Sequence, residues 1–197
     1  MSDVHDVKAK ANPGPLGLLG FGMTTVLLNL HNAGLIELSV VIVAMGFALG
    51  GLAQIIAGVL EFKGGNTFGG TAFTAYGLFW WSLVFIWVQP YVWLDQYKAE
   101  ANILPADGKS MGSYLLLWGI FTLFMFIGTL KHNRATQVVF LTLTLLFFGL
   151  AAADFSGSES VHLASGVIGI VCGASAIYNA MGQVVNGEFG KKVIPLG

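Results

Sequence analysis

Between Ser113 and Leu130 the chain reads SYLLLWGIFTLFMFIGTL, a run without a single charge, closed by Lys131, His132 and Arg134. A helix rises about 1.5 Å per residue, so roughly 20 apolar residues cross a hydrocarbon core about 30 Å thick. The same test is met on both sides of this run. Downstream lie Gln137 to Asp154 and Val161 to Val185, each bounded by polar or charged residues. Upstream lie Pro15 to about Leu35, Leu38 to Glu61 and Phe68 to about Val88. The expectation is an all-α integral membrane protein with six transmembrane helices, at about 15–35, 38–61, 68–88, 113–130, 137–154 and 161–185.

Composition points the same way. Of 197 residues, 55 % are hydrophobic and 10 % charged, against roughly 25 % charged in an ordinary soluble domain. Nine Lys+Arg and ten Asp+Glu are too few to wet the surface of a soluble globule. The apolar content excludes a disordered chain. A net charge of −1 without a basic patch argues against nucleic-acid binding. The single cysteine, Cys172, excludes a disulfide scaffold and reads as a small packing residue.

The spans form one transmembrane domain over 12–187. The first eleven residues, MSDVHDVKAKA, mix charges and lack an apolar stretch with a small-residue cleavage site. They read as a polar arm over 1–11 rather than a secretory leader. Residues 188–197 read as a short tail. The one long connection, Pro90 to Met111, mixes Tyr91, Trp93 and Tyr97 with Asp95, Lys98, Glu100 and Asp107, a composition suited to the water–lipid boundary. Six crossings put both termini on one side. That side collects Lys8, Lys10, Lys63, Lys131, Arg134, Lys191 and Lys192, and the other only Lys98 and Lys109. The positive-inside rule then places both termini in the cytoplasm.

Small residues recur at helical spacing: Gly46, Gly50, Gln54 and Gly58 in the second span, and Gly166, Gly169, Gly173, Ala176 and Ala180 in the sixth. Such faces let helix backbones approach closely, within or between subunits. Phe121, Phe124, Phe126, Phe147 and Phe148 are expected on the opposite, lipid- or neighbour-facing surfaces.

An unsatisfied polar group in hydrocarbon costs several kcal/mol, so polar residues at depth carry information. Phe21, Thr25, Asn29 and Asn32 make one stripe on the first span. Gln54 and Glu61, seven apart, share a face of the second. The ordinary fate of a Thr or Ser in such a helix is a bond to its own backbone carbonyl. His31 sits where an interfacial histidine would, and Glu61, beside Lys63, could simply be solvated. His162 and Ser165 are only three residues apart on one helix with no nucleophile elbow, so a protease is not expected. Neither an enzyme nor a cofactor or metal site is indicated. No Lys or Arg falls within a span, so an anion would meet amides, hydroxyls and backbone N–H groups. That suits a solute held weakly enough to leave again. A pore for ammonium or another small neutral solute, and a non-transporting membrane sensor or partner, stay open on the residues alone.

The start of the first span, NPGPLGLLGF over 12–21, resembles the N-P-A-P-L-G-L signature of the acetate uptake transporter family, to which the succinate–acetate permeases belong. Gly14 stands where the signature has Ala. TTVLLNLHNAG (24–34), GGLAQIIAGVLEFKGGNTFG (50–69), TAFTAYGLFW (71–80), WGIFTLFMFIGTLK (118–131) and CGASAIYNAMG (172–182) also resemble the family's segments, in order. The 90–112 loop looks longer than in close relatives. The resemblance implies a hexamer in a prokaryotic cell membrane, with a pore through each subunit. It implies passage of acetate, other small carboxylates and often succinate, by proton coupling or a channel-like route. It places an aromatic–aliphatic constriction at Phe21, Tyr76 and Leu143, and associates Ala176 with substrate choice. Beside that resemblance, Asn29, Gln54, Thr25 and Asn179 are the expected substrate-binding polar groups. Asn12, at the head of the first span, and Glu61 are expected at the cytoplasmic mouth.

Overall fold

The computed structural model of the chain describes residues 11–92 and 104–197. Lys8, Lys10, Trp93, Asp95, Tyr97, Lys98 and Glu100 lie outside the described residues, with nearly all of the expected polar arm. Six helices follow in order: α1 (Gly14–Asn32), α2 (Val40–Lys63), α3 (Thr67–Val92), α4 (Gly108–Gly128), α5 (Arg134–Ser156) and α6 (Glu159–Phe189). No strand occurs among the described residues. Helices α2 to α6 are long and apolar enough to cross a membrane. α1 is of similar length, 19 residues, but Asn29, His31 and Asn32 make it more polar.

The ends are set by local chemistry. α4 starts at Gly108, five residues before the expected Ser113, because Asp107 and Ser110 cap it reciprocally. The Asp107 carboxylate accepts the Ser110 N–H at 2.7 Å, and the Ser110 hydroxyl accepts the Asp107 N–H at 2.9 Å. The Ser110 hydroxyl, then its amide, hold the Asp107 carboxyl below the usual range. Asn133 caps α5 and Ser158 caps α6, so both start earlier than the apolar runs. Gly157 and Gly190, each with φ above +60°, end them in the left-handed conformation.

The middle of α2 departs from the α-helix. Gly46–Ala53, GFALGGLA, is π-helical. The Trp80 ring packs against Gly46 and Gly50, and Trp81 covers Gly51. The Trp81 indole donates to the Phe47 carbonyl at 2.9 Å, satisfying an acceptor that the widened turn leaves out of the α pattern.

The helices close a ring. α1 lies between α2 and α6, α5 bridges α6 to α4, and α3 packs on α2. α1 and α6 approach closely at Gly22 and Gly173, where an added Cβ on either would meet the other's backbone at 2.7–2.8 Å. The joint between α3 and α4 is made mainly by side chains. Phe79 stacks on Tyr114 at 5.7 Å and meets Trp118 edge-on at 5.1 Å. The Ser82 and Tyr114 hydroxyls share a hydrogen bond of 2.6 Å. Both described ends lie at one end of the bundle, the terminal end. There the Asn12 amide donates to Gln183 at 3.0 Å and the Ala135 N–H to the Leu196 carbonyl at 2.9 Å.

Apolar residues face outward: Val40 is 78 % exposed, Phe124 71 % and Leu117 68 %, while Gln54 and Asn179 are 0 % exposed. That inversion is what a lipid-embedded bundle requires. One expectation needs correction. Of the five phenylalanines assigned to outer faces, only Phe124 is freely exposed. Phe147 is buried, because α5 is covered by α4 and α6, and Phe121 meets the Tyr76 ring at 5.4 Å.

Replacing Gly173 by Val is expected to separate α1 from α6, with an overpacking cost of about 1–3 kcal/mol. Size-exclusion profiles and thermal unfolding in detergent check it, and a midpoint equal to wild type would contradict the packing described.

Candidate functional site

Two cavities lie along the middle of the ring. The near cavity, at the terminal end, has a volume of about 300 Å³. The far cavity has about 210 Å³. Phe21, Tyr76 and Leu143 line both. No other described residue does so, and all three are buried, at 6 %, 3 % and 3 % exposure. The partition is thus one side chain each from α1, α3 and α5. The Phe21 and Tyr76 rings lie 6.0 Å apart. Tyr76 is braced from behind: its hydroxyl donates to Thr122 on α4 at 3.0 Å, and Thr122 in turn donates to the Trp118 carbonyl at 2.7 Å. With its hydroxyl so engaged, Tyr76 presents chiefly the ring.

The near cavity is walled by polar groups. Asn12 sits at its mouth, accepting the Gly14 N–H at 3.0 Å. Glu61 lines the wall and accepts from the Asn66 amide at 2.7 Å. At 7 % exposure Glu61 is a buried wall residue rather than a solvated one. Gln54 lines the same cavity at 0 % exposure, and neither its amide nitrogen nor its oxygen has a partner among the described residues. Asn66, His132, Asn133, Thr136 and Gln183 complete the polar wall.

The far cavity receives most of the α1 stripe. The Asn29 amide donates to the Thr25 carbonyl at 2.8 Å and accepts from Asn32 at 3.1 Å. Gly169 makes room for it on α6, since an added Cβ there would collide with the Asn29 amide. The two threonines of α1 part ways. Thr24 donates to the Gly20 carbonyl at 2.9 Å, the ordinary intrahelical bond. Thr25 faces the cavity, and its hydroxyl has no partner among the described residues. Elsewhere Thr142, Thr144, Ser165 and Ser175 all bond their own helix.

Two expected residues stand outside the walls. Ala176 is fully buried on α6 and lines neither cavity. Asn179 is one layer back: it donates to Thr136 at 3.0 Å and accepts from Gln183 at 3.1 Å, and those two line the near cavity. Asn179 positions the wall instead of forming it. Sequence reasoning missed Asn66, His132, Asn133 and Thr136, which sit in short turns or helix starts. It also missed Asp154, which ends the apolar run of α5. The signal that could have found Asn66 is its distance of five residues from Glu61, one turn beyond the helix end.

Among the described residues, no Lys or Arg lines either cavity. The arrangement is an axial path with amides and hydroxyls on both sides of an aromatic–aliphatic neck, inside an all-helical bundle with a lipid-compatible exterior. It defines a membrane pore or carrier for a small solute.

Comparison with known proteins gives the family. The chain matches the GPR1/FUN34/yaaH family over residues 3–195, and it belongs to that family. It is 54 % identical over 187 residues to the succinate-acetate/proton symporter SatP of Escherichia coli strain K12, covering 95 % of both chains. It is 40 % identical over 172 residues to ammonia transport outward protein 2 of Saccharomyces cerevisiae, covering 86 % of this chain and 60 % of the yeast protein. The structure of the bacterial acetate channel SatP superposes with a TM-score of 0.90 at 53 % identity, covering 96 % of this chain and all of that one.

A partnerless buried amide is a liability to the fold, costing about 1–3 kcal/mol. Gln54→Leu, similar in volume and free of that cost, is therefore expected to raise the thermal midpoint of the detergent-solubilised protein. A midpoint lowered by several degrees would mean that the amide is bonded after all.

Proposed function

We propose that this chain is a multi-pass permease of a prokaryotic cell membrane that passes acetate and other small carboxylic acids, succinate among them, through each subunit. The observation that carries the reading is the pair of cavities meeting at Phe21, Tyr76 and Leu143. The family membership, the symporter of the Escherichia coli relative and the superposable acetate channel supply the substrate class.

In this reading α1 is the sixth span, and its polar stripe is tolerated because it faces the cavities and α6 instead of lipid. The hydrogen bond between Asn12 and Gln183 supports that topology, since both helix ends must then lie on the same side. The charge asymmetry supports a cytoplasmic position for that side. The small-residue faces and the exposed apolar surface of α4 fit a homo-oligomer, which the family resemblance makes a hexamer.

Phe21, Tyr76 and Leu143 form the neck. Gln54 offers the solute a donor and an acceptor on the near side, and Thr25 and Asn29 do so on the far side. With no fixed cation in the walls among the described residues, a carboxylate is held by neutral dipoles and is released readily. A methyl group passes the neck against rings and an isobutyl group, which is favourable for acetate's apolar end. Asn12 and Glu61 shape the cytoplasmic mouth. Ala176, which lines neither cavity, acts on substrate choice through the packing of α6 behind the wall.

A second reading, a pore for ammonium, has the yeast relative's name behind it. Glu61 and Asp154 in the two walls would also suit a cation. Counterflow in proteoliposomes separates the two. Labelled acetate is expected to exchange and labelled methylammonium is not; the reverse would replace the proposal.

The neck predicts selectivity by size. Leu143→Ala or Phe21→Ala should widen it and raise lactate flux relative to acetate severalfold. An unchanged ratio, with protein level normal, would place the selecting constriction elsewhere.

A further inference from the structure

The far cavity carries a titratable pair that the proposed path does not use. Asp154, near the end of α5, and His162, in the first turns of α6, both line it. The two side chains interact electrostatically. His162 Nε2 is buried and has no hydrogen-bond partner among the described residues. His31, the other histidine of this cavity, is differently placed: its Nδ1 is engaged by the Ile36 carbonyl at 3.1 Å.

We propose that His162, with Asp154 beside it, is the proton-exchange site of the far mouth, handing a proton to the carboxylate before the solute enters the neck. The inference rests on the acetate reading above. In the step, the N–H bond at His162 breaks and an O–H bond forms on a carboxylate oxygen of the solute. The neutral acid then crosses between Phe21, Tyr76 and Leu143. His162 regains its proton from water at the far side, and the acid releases its own to water in the near cavity.

Three features favour His162. It sits on the wall of a cavity next to the neck, so donor and solute share one compartment. Its ring is the side chain whose ordinary pKa, about 6.5, lies nearest neutrality. Asp154 supplies a negative charge that offsets an imidazolium in a compartment that no Lys or Arg lines among the described residues. A carboxylic acid like a Glu side chain titrates near 4.3, roughly two units below His, so the transfer runs uphill in water. Passage of the neutral acid into the apolar neck removes it from the far cavity and so draws the transfer forward.

Among the described residues, the other groups around the pair are these. From α1 comes His31; from α3, Tyr76, whose hydroxyl is bonded to Thr122. Gly108 of α4 lies against the Asp154 carbonyl, with Asp107 and Lys109 on either side of it; Asp107 is occupied in its cap. Glu159 stands one turn before His162, and Glu37 lies exposed in the α1–α2 connection.

The test is the shape of the pH profile. Full-length protein in proteoliposomes is given labelled acetate at far-side pH 7.5 to 4.5, and uptake by protein-free vesicles is subtracted. If bulk acetic acid were simply selected, uptake would climb about tenfold per pH unit down to the acid's own pKa. With a histidine donor, the climb is expected to bend toward a plateau as the pH falls through the ordinary histidine range, well above the acid's own pKa. His162→Gln should abolish the bend and leave the tenfold-per-unit slope at a lower rate. Asp154→Asn should move the bend to lower pH by removing the offsetting charge; it decides the matter alone if His162→Gln does not fold. A bend that persists in His162→Gln, or a wild-type profile without one, overturns the inference while acetate transport stands. Wild-type vesicles no faster than protein-free ones would overturn the acetate reading itself.

Discussion

Hydrocarbon offers no water, so a polar atom at bilayer depth either bonds to the chain or stays unsatisfied at a cost of several kcal/mol. This chain divides its polar atoms sharply between the two fates. Thr24, Thr122, Thr142, Thr144, Ser165 and Ser175 bond backbone carbonyls of their own helices. Gln54, Thr25, His162, Trp80 and Thr74 each keep a buried polar atom without a partner among the described residues, and all but Thr74 line the axial cavities. The fold holds these exceptions in place with close contacts elsewhere: Gly22 against Gly173, Gly169 under Asn29, Trp80 over Gly46 and Gly50. Small residues bring helices together where no solute passes. Large ones meet at the axis, where it must be narrowed.

Much of this was legible in the sequence because lipid imposes a length and a polarity on every span. The six helices and the Phe21–Thr25–Asn29 stripe follow from apolar runs and helical spacing alone. The placement of Tyr76 and Leu143 beside Phe21 did not. Nothing in the local sequence of α5 distinguishes Leu143 from Leu146, and only resemblance to a family singled it out. Glu61 was legible as a polar residue on the Gln54 face but not as buried, because its cover comes from Asn66 beyond the helix end. Ala176 and Asn179 illustrate the opposite failure. Helical spacing fixes the face a residue occupies but not which layer behind the cavity it reaches. The π-helical segment of α2 escaped entirely, since a Gly-rich stretch reads equally well as packing surface.

The two cavities differ in kind as well as in place. The near one is walled by amides and one carboxylate that is already hydrogen-bonded. The far one is more apolar, ringed by Leu83, Leu115, Leu146 and Phe147, with Asp154 and His162 on α5 and α6 and His31 on α1. On the proposed reading, a solute entering from the far side leaves water in stages, meeting Asp154 and His162 before the greasier stretch and the neck. Leaving toward the near side, it regains hydrogen-bonding partners at once. The asymmetry makes desolvation gradual on one side and rehydration quick on the other.

The relatives are described both as a proton symporter and as a channel, and on the proposed reading the two descriptions meet in one energetic comparison. At pH 7 about one acid molecule in 500 is neutral, so drawing on that fraction costs about 4 kcal/mol. Taking the bare carboxylate into an apolar neck without a cation costs more, since an unpaired ion out of water is penalised by several kcal/mol even after the protein relaxes. Phe21, Tyr76 and Leu143 can offer a ring face, an engaged hydroxyl and a methyl surface, none of which repays that penalty. The cheaper course is to cross as the acid. A neutral acid carries its proton with it, so transport is coupled to protons with no alternating conformations, through a path that is otherwise a pore. What distinguishes a symporter from a channel here is then the charge state of the solute at the neck, and the neck's lack of any group able to hold an ion fixes that state.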